Sequence, residues 1–129
     1  MTVQDLMIIS LALMGEPADA VSDYRSYAVT AVNIVLAETL PLENQLREVK
    51  EEELLLQAPV MKELTDTIPY DTRLLMTCLS YGVAAKLTME DDDPAKFNYL
   101  NGMYMQTFSS GTPGFSHPID DAVWGGIDR

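Results

Sequence analysis

Residues 68–88, "IPYDTRLLMTCLSYGVAAKLT", constrain the fold more than any other stretch. Leu74, Leu75, Cys78, Leu79, Tyr81, Gly82, Ala85 and Leu87 recur at helical spacing and leave almost no polar face. A helix that is apolar nearly all round has to be enclosed by other elements. The reading therefore places it at the centre of an all-α bundle of about four helices. Ile68-Pro69 opens it, with proline in a first helical turn where its missing N–H costs nothing. Gly82 inside a helix costs about 1 kcal/mol relative to alanine. With Ala84 and Ala85 nearby, it marks the close approach of another helix.

The walls of the bundle come from three other segments. Thr2-Val3-Gln4-Asp5 reads as a helix start, a hydroxyl at the cap and a carboxylate three residues on. Leu6, Met7, Ile9, Leu13 and Met14 follow on a broad apolar face, and Gly15-Glu16-Pro17 ends the helix. From Asp19 to Leu40 the period is again helical. Tyr24, Tyr27, Ala28, Ala31, Val32 and Val35 share one face, with Asp23, Arg25, Thr30 and Glu38 pointing away. Pro41 is expected to kink or end this helix, with Leu42 to Val49 adding a turn or two beyond it. Residues 48–67 read as a mostly irregular connecting arm, with a strand possible at Leu54–Leu56. Phe97, Leu100, Met103 or Tyr104, and Phe108 space a last helix that "SSG" at 109–111 stops. The organisation is one helical domain at 1–110 and an extended tail at 111–129.

Between the last two helices stand four consecutive acids, Glu90 to Asp93. Counting a calcium loop from Asp91 puts Lys96 where glycine is needed and Gly102 where glutamate is needed, so that pattern fails. A helix start fits: Asp93 as N-cap, Pro94 as first helical residue, and negative charge facing the positive end of the helix dipole. No metal site and no cofactor is expected here.

The 129 residues suit one domain with a real core. The longest apolar run is too short to span a bilayer, and a signal-peptide pattern is lacking, so no membrane partner is expected. One cysteine, Cys78, excludes an internal disulfide and fits a reducing compartment, the cytoplasm by default. The net charge of −12 is even: residues 1–41, 42–67 and 68–129 each carry −4, from 1 base against 5 acids, 3 against 7 and 4 against 8. Ordinary nucleic-acid binding is not expected from that distribution, since no basic stripe exists to neutralise phosphates. Solubility and self-repulsion are the plain consequence. A DNA mimic, or a surface past which DNA must slide, are sharper readings of the same charge.

Catalytic constellations are missing as well. His117, the one histidine, stands in the Gly/Pro tail, and Cys78 lies among leucines as an inert thiol. "SSGTPG" lacks the Lys-Ser/Thr of a phosphate loop. The seven internal methionines suit core filling or adaptable interfaces.

The stretch "IPYDTRLLMTCLSYGVAAKLTMEDDDPAKFNYLNGMYMQTF" resembles the C-terminal half of small head-to-tail connector (adaptor) proteins of tailed phages. The shared residues are Ile68-Pro69, the helix reaching Tyr81-Gly82-Val83-Ala84-Ala85, the acidic corner Asp91-Asp92-Asp93, then Ala95, Tyr99 and Tyr104. Upstream, "YRSYAVTAVNIVLAETLPLENQLRE" is similar to the preceding long helix of such proteins, with Asn33 and Arg47 at family-like places. The resemblance covers residues 22–108 and rests on packing residues. It implies an all-helical, non-enzymatic subunit of a homo-oligomeric ring, commonly of twelve copies, under the portal in the virion neck. Made in the host cytoplasm, such a ring joins portal to tail proteins, and DNA passes through its lumen without specific binding.

Two other classes compete with the connector. One is a small acidic phage inhibitor that mimics DNA, which should carry paired carboxylate rows at phosphate spacing. The other is a carboxylate metal hydrolase at the acidic corner. In the tail, Phe115, Ile119, Trp124 and Ile127 are expected to anchor on a neighbour or portal as a segment that orders on binding. The opposing expectation has the tail folding back over the apolar first helix.

Overall fold

The computed structural model of the chain describes residues 1–110. Among them lie four helices and no strand: α1 at Val3–Leu13, α2 at Arg25–Val49, α3 at residues 72–88 and α4 at Pro94–Ser110. A 3-10 stretch at Ala18–Tyr24 leads into α2. Both ends of α1 are closed by local chemistry. Asp5 N–H donates to the Thr2 hydroxyl at 3.1 Å while Thr2 N–H donates to the Asp5 carboxylate at 3.0 Å. The next free donors, Val3 N–H and Gln4 N–H, reach the carbonyls of Asp66 and Leu64 at 3.0 and 2.9 Å. The first turn therefore leaves none of those donors unpaired. At the far end Gly15 takes φ +81°, and the Gly15 and Glu16 N–H groups close onto Ala12 and Leu11. That pairing is the Schellman arrangement.

α2 runs through its proline, with Leu42 to Val49 adding the turns expected beyond it. Pro41 stands inside the helix on its exposed side, and the helix runs on to Val49. An interior proline costs about 3 kcal/mol. Beyond it, however, Leu42 and Leu46 are 5% and 1% exposed, and burying two leucines contributes about 3–6 kcal/mol. Packing outweighs the broken backbone bond. One turn earlier, Tyr70 donates its hydroxyl to the Leu36 carbonyl at 2.5 Å, a bond that burial favours by pushing that phenol's pKa upward. Along the same face Ala28, Ala31, Val32 and Val35 are buried, but Tyr27 is 45% exposed. Tyr27 sits at the edge of the apolar arc rather than within it.

α3 is the central element and packs against α1, α2 and α4. Leu74, Leu75, Cys78, Leu79, Val83, Ala84 and Leu87 are all at 1% exposure or less. It begins later than Pro69: Asp71 is the N-cap, accepting from the N–H groups of Arg73 and Leu74. A carboxylate cap with free lone pairs wins over a proline that only lacks a donor. After the first turn at Thr72–Leu74 the helix widens into a π-helical stretch, Leu75–Leu79, before the α-helical part Ser80–Thr88. Across that stretch the hydroxyls of Thr77 and Ser80 donate to the carbonyls of Arg73 and Met76. Gly82 meets α4 directly, with Tyr104 lying against it. No helix among the described residues is long and apolar enough to cross a membrane.

Candidate interaction surface

Residues 50–71 form the arm, and the way it is held is the least ordinary feature of the fold. α2 ends on a second Schellman closure: Glu51 and Glu52 N–H groups bond to Glu48 and Arg47. Here the left-handed position is filled by Glu51 at φ +59° rather than by glycine, a conformation costing a side chain about 1 kcal/mol. This turn sends the chain back along α2. Asn44 then grips Leu55 with both halves of its amide, accepting from the Leu55 N–H at 2.9 Å and donating to its carbonyl at 3.0 Å. Asn33 grips Met61 in the same way, at 2.7 and 2.9 Å. Each asparagine acts as a one-residue strand. The backbone at Leu55 pairs with a side chain and the chain bends at Leu56, so no strand forms at Leu54–Leu56.

A charged knot closes the arm at its base. Glu43, 1% exposed, accepts from Arg47 Nε at 2.7 Å and from the Asp71 N–H at 2.8 Å. Arg47 also donates through Nη1 and Nη2 to the carbonyls of Glu53 and Pro69, at 2.9 and 2.6 Å. Lys50 pairs with Asp71 at 2.8 Å. Burial acts upward on the Asp71 carboxyl, but Lys50 and the N–H groups of Arg73 and Leu74 outweigh it and hold its pKa below the usual value. That hydrogen bond in turn raises Lys50.

Held by these polar contacts, the arm buries Met61 and Ile68 but leaves three other apolar side chains outside. Leu56 is 99% exposed, Val60 69% and Leu54 47%. Burying one leucine is worth about 1.5–3 kcal/mol, so the fold leaves that free energy unused at three positions of one short segment. A clustered, displayed set of this kind marks a contact surface more than scattered exposed leucines do.

A second apolar surface is the groove between the first half of α2 and the end of α3. Its volume is about 410 Å³, lined by Tyr27, Thr30, Ala31, Ile34, Lys86 and Met89. Tyr27, Ile34 and Met89 are 45%, 45% and 65% exposed. Lys86 reaches Glu38 at 3.2 Å and lies 5.6 Å above the Tyr104 ring. The methionines divide between the two expected uses: Met7, Met14 and Met61 are core, whereas Met76 and Met89 are exposed.

The acidic run forms a corner between helices. Asp92 takes φ +55°, which aspartate tolerates. Asp93 accepts from the Lys96 N–H at 3.1 Å, and Pro94 is the first residue of α4. Asp91 accepts from the Tyr24 hydroxyl at 3.1–3.2 Å, and Lys96 Nζ reaches the Met14 carbonyl at 2.9 Å. Burial and then the Asp91 carboxylate push the Tyr24 phenol up to about 12. Among the described residues no three His, Cys, Asp or Glu side chains gather closely enough to hold a metal ion. Cys78 is fully buried, which pushes its thiol up to about 12.

Phe115, Ile119, Trp124, Ile127 and His117 lie outside the described residues. Asn33 and Arg47, singled out by resemblance, are both arm-holding residues. Glu43 and Asn44 were not singled out by sequence, since their arm partners Asp71 and Leu55 are 28 and 11 residues away. Comparison with family models, curated proteins and solved structures finds no match to this chain.

Proposed function

We propose that this chain is a structural subunit that works by contact with other proteins, specifically a head-to-tail connector forming a ring under the portal of a tailed phage. The observation that carries the reading is the strapped arm, which presents Leu54, Leu56 and Val60 to solvent while polar bonds hold it along α2. A protein acting alone gains nothing from displaying those side chains. A subunit whose neighbours cover them gains their burial on assembly. The net charge of −12 supports the same reading, since a channel wall that repels phosphates lets DNA pass without binding. The resemblance over residues 22–108 supplies the station, at the neck between portal and tail.

Size-exclusion chromatography with light scattering, on the chain alone and mixed with the portal protein of the same phage, tests this. The chain alone is expected as a monomer or small oligomer, because copies at −12 repel one another at low salt. With portal present it should co-elute in a complex of many copies. A chain that stays monomeric beside its portal contradicts the proposal.

A further inference from the structure

We propose that residues 53–60 are a releasable strap, which lifts off α2 as one unit between fixed anchors at Glu52 and Met61 while the helical bundle stays folded. None of these residues is buried: Leu55, Ala58 and Pro59 are half-buried and the others exposed. Among the described residues the segment makes three hydrogen bonds to the rest of the chain. Two are the grip of the Asn44 amide on Leu55, and the third runs from Arg47 Nη1 to the Glu53 carbonyl. Opening breaks those three bonds and lifts the half-buried Leu55 from its place against the core.

The arm beyond Val60 is built differently. Met61, Ile68 and Tyr70 are 8%, 2% and 6% exposed. Asn33 grips Met61, and Leu64, Asp66 and Ile68 join Gln4, Val3 and Met1 through backbone bonds. On the other side, the turn that ends α2 fixes the Glu52 N–H to the Arg47 carbonyl at 2.7 Å. Local opening follows the distribution of buried contacts and hydrogen bonds, and the segment with the fewest of both opens first. The boundaries of that segment therefore fall at Glu53 and Val60, inside the arm rather than at its ends.

The strap also has slack to move. Its anchors are bonded to Arg47 and Asn33, which helical rise sets about 21 Å apart along α2. The chain from Glu52 to Met61 reaches about 30 Å when fully extended. With both anchors fixed, its middle can rise roughly 10 Å from α2. Leu55 then comes free beside Leu54 and Leu56, and three consecutive leucines become available together. A partner that covers all three favours the open form by that differential contact. The opening itself belongs to the isolated chain and does not depend on the neck reading.

Native-state hydrogen exchange on the full chain, at urea concentrations below the unfolding transition, tests it. Relative to their unstructured rates, the Leu55 N–H should exchange at least about a hundredfold faster than the Met61 N–H, and urea should hardly change its rate. Met61 should exchange with the helices, showing their full urea dependence. Asn44→Ala removes two of the three bonds. Thermolysin, which cleaves before leucine, should then cut at Leu54–Leu56 about tenfold faster than in the wild type. The nicked chain should keep its helical signal, and the uncut variant should melt close to the wild type. A Leu55 N–H that exchanges at the Met61 rate with the same urea dependence overturns the proposal. So does cleavage that tracks global unfolding, a chain that loses its helices once cut, or an Asn44→Ala variant that melts far below the wild type. Whether the chain binds a portal moves none of these readouts.

Discussion

The ring of Tyr104 occupies the space that a side chain at Gly82 would fill. A Cβ built on Gly82 lies 2.7 Å from Tyr104 Cε1 and 2.9 Å from two further ring atoms. The ring cannot easily retreat, because its hydroxyl donates to Glu38 at 2.7 Å and its edge packs on Phe108 with centroids 5.0 Å apart. Gly82→Ala is thus expected to destabilise. Overpacking costs about 1–3 kcal/mol and the gain in helix propensity returns about 1 kcal/mol, leaving a net loss of up to about 2 kcal/mol. Gly102→Ala, in α4 with nothing within 4 Å of its would-be Cβ, should stabilise by up to about 1 kcal/mol. Urea denaturation of the pair reads both signs.

Arg47→Ala should cost more than an ordinary surface change. It strands the buried Glu43 carboxylate with only the Asp71 N–H as donor and releases the carbonyls of Glu53 and Pro69. Removing one partner of a buried pair costs about 3 kcal/mol or more. Glu43→Gln keeps an acceptor for Asp71 and should lose only about 1 kcal/mol. The ordering of the two urea midpoints checks this; equal midpoints would contradict it.

Hydrogen exchange separates the two asparagine grips. The Leu55 N–H is bonded to Asn44 and the Met61 N–H to Asn33. In Asn44→Ala, Leu55 should lose its protection while Met61 keeps it, and Asn33→Ala should reverse the pattern. Loss at both sites in either variant would show that the arm opens as one unit.

Acid should weaken the base of the arm. The folded pKa of Asp71 is depressed below its ordinary 3.8, so its contribution is present above that value and lost as pH falls through the lower folded one. Lys50, raised above 10.5 by Asp71, contributes fully below that value and loses its part as pH rises through the higher folded one. Asp71→Asn keeps a capping side chain and removes the charge. Its melting temperature should lie below that of the wild type near neutrality and converge with it at strongly acid pH. A constant gap across the acid limb would contradict the assignment.

How much of this was legible depended on range. Thr2 with Asp5, Gly15, and Asp93 with Pro94 act within four residues, and each pattern marks its helix end directly. Gly82 announced a close helix without saying which ring would cover it. The role of Asn33, Asn44 and Glu43 was hidden because their partners lie 28, 11 and 28 residues away, in a segment with no period to read. Around Pro41 the sequence showed the turns added at Leu42 to Val49 but also the local cost of proline; the burial of Leu42 and Leu46 that outweighs that cost is tertiary. Tyr27 was placed inside by helical period but falls at the edge of the buried arc, where it lines a groove instead.

Negative-stain imaging of the chain mixed with portal rings tests the central claim most directly. The account predicts portal rings capped by a second ring of density on one face, with an open axial channel through both. Bare portal rings, with this chain free in the background at concentrations where it should bind, would contradict it.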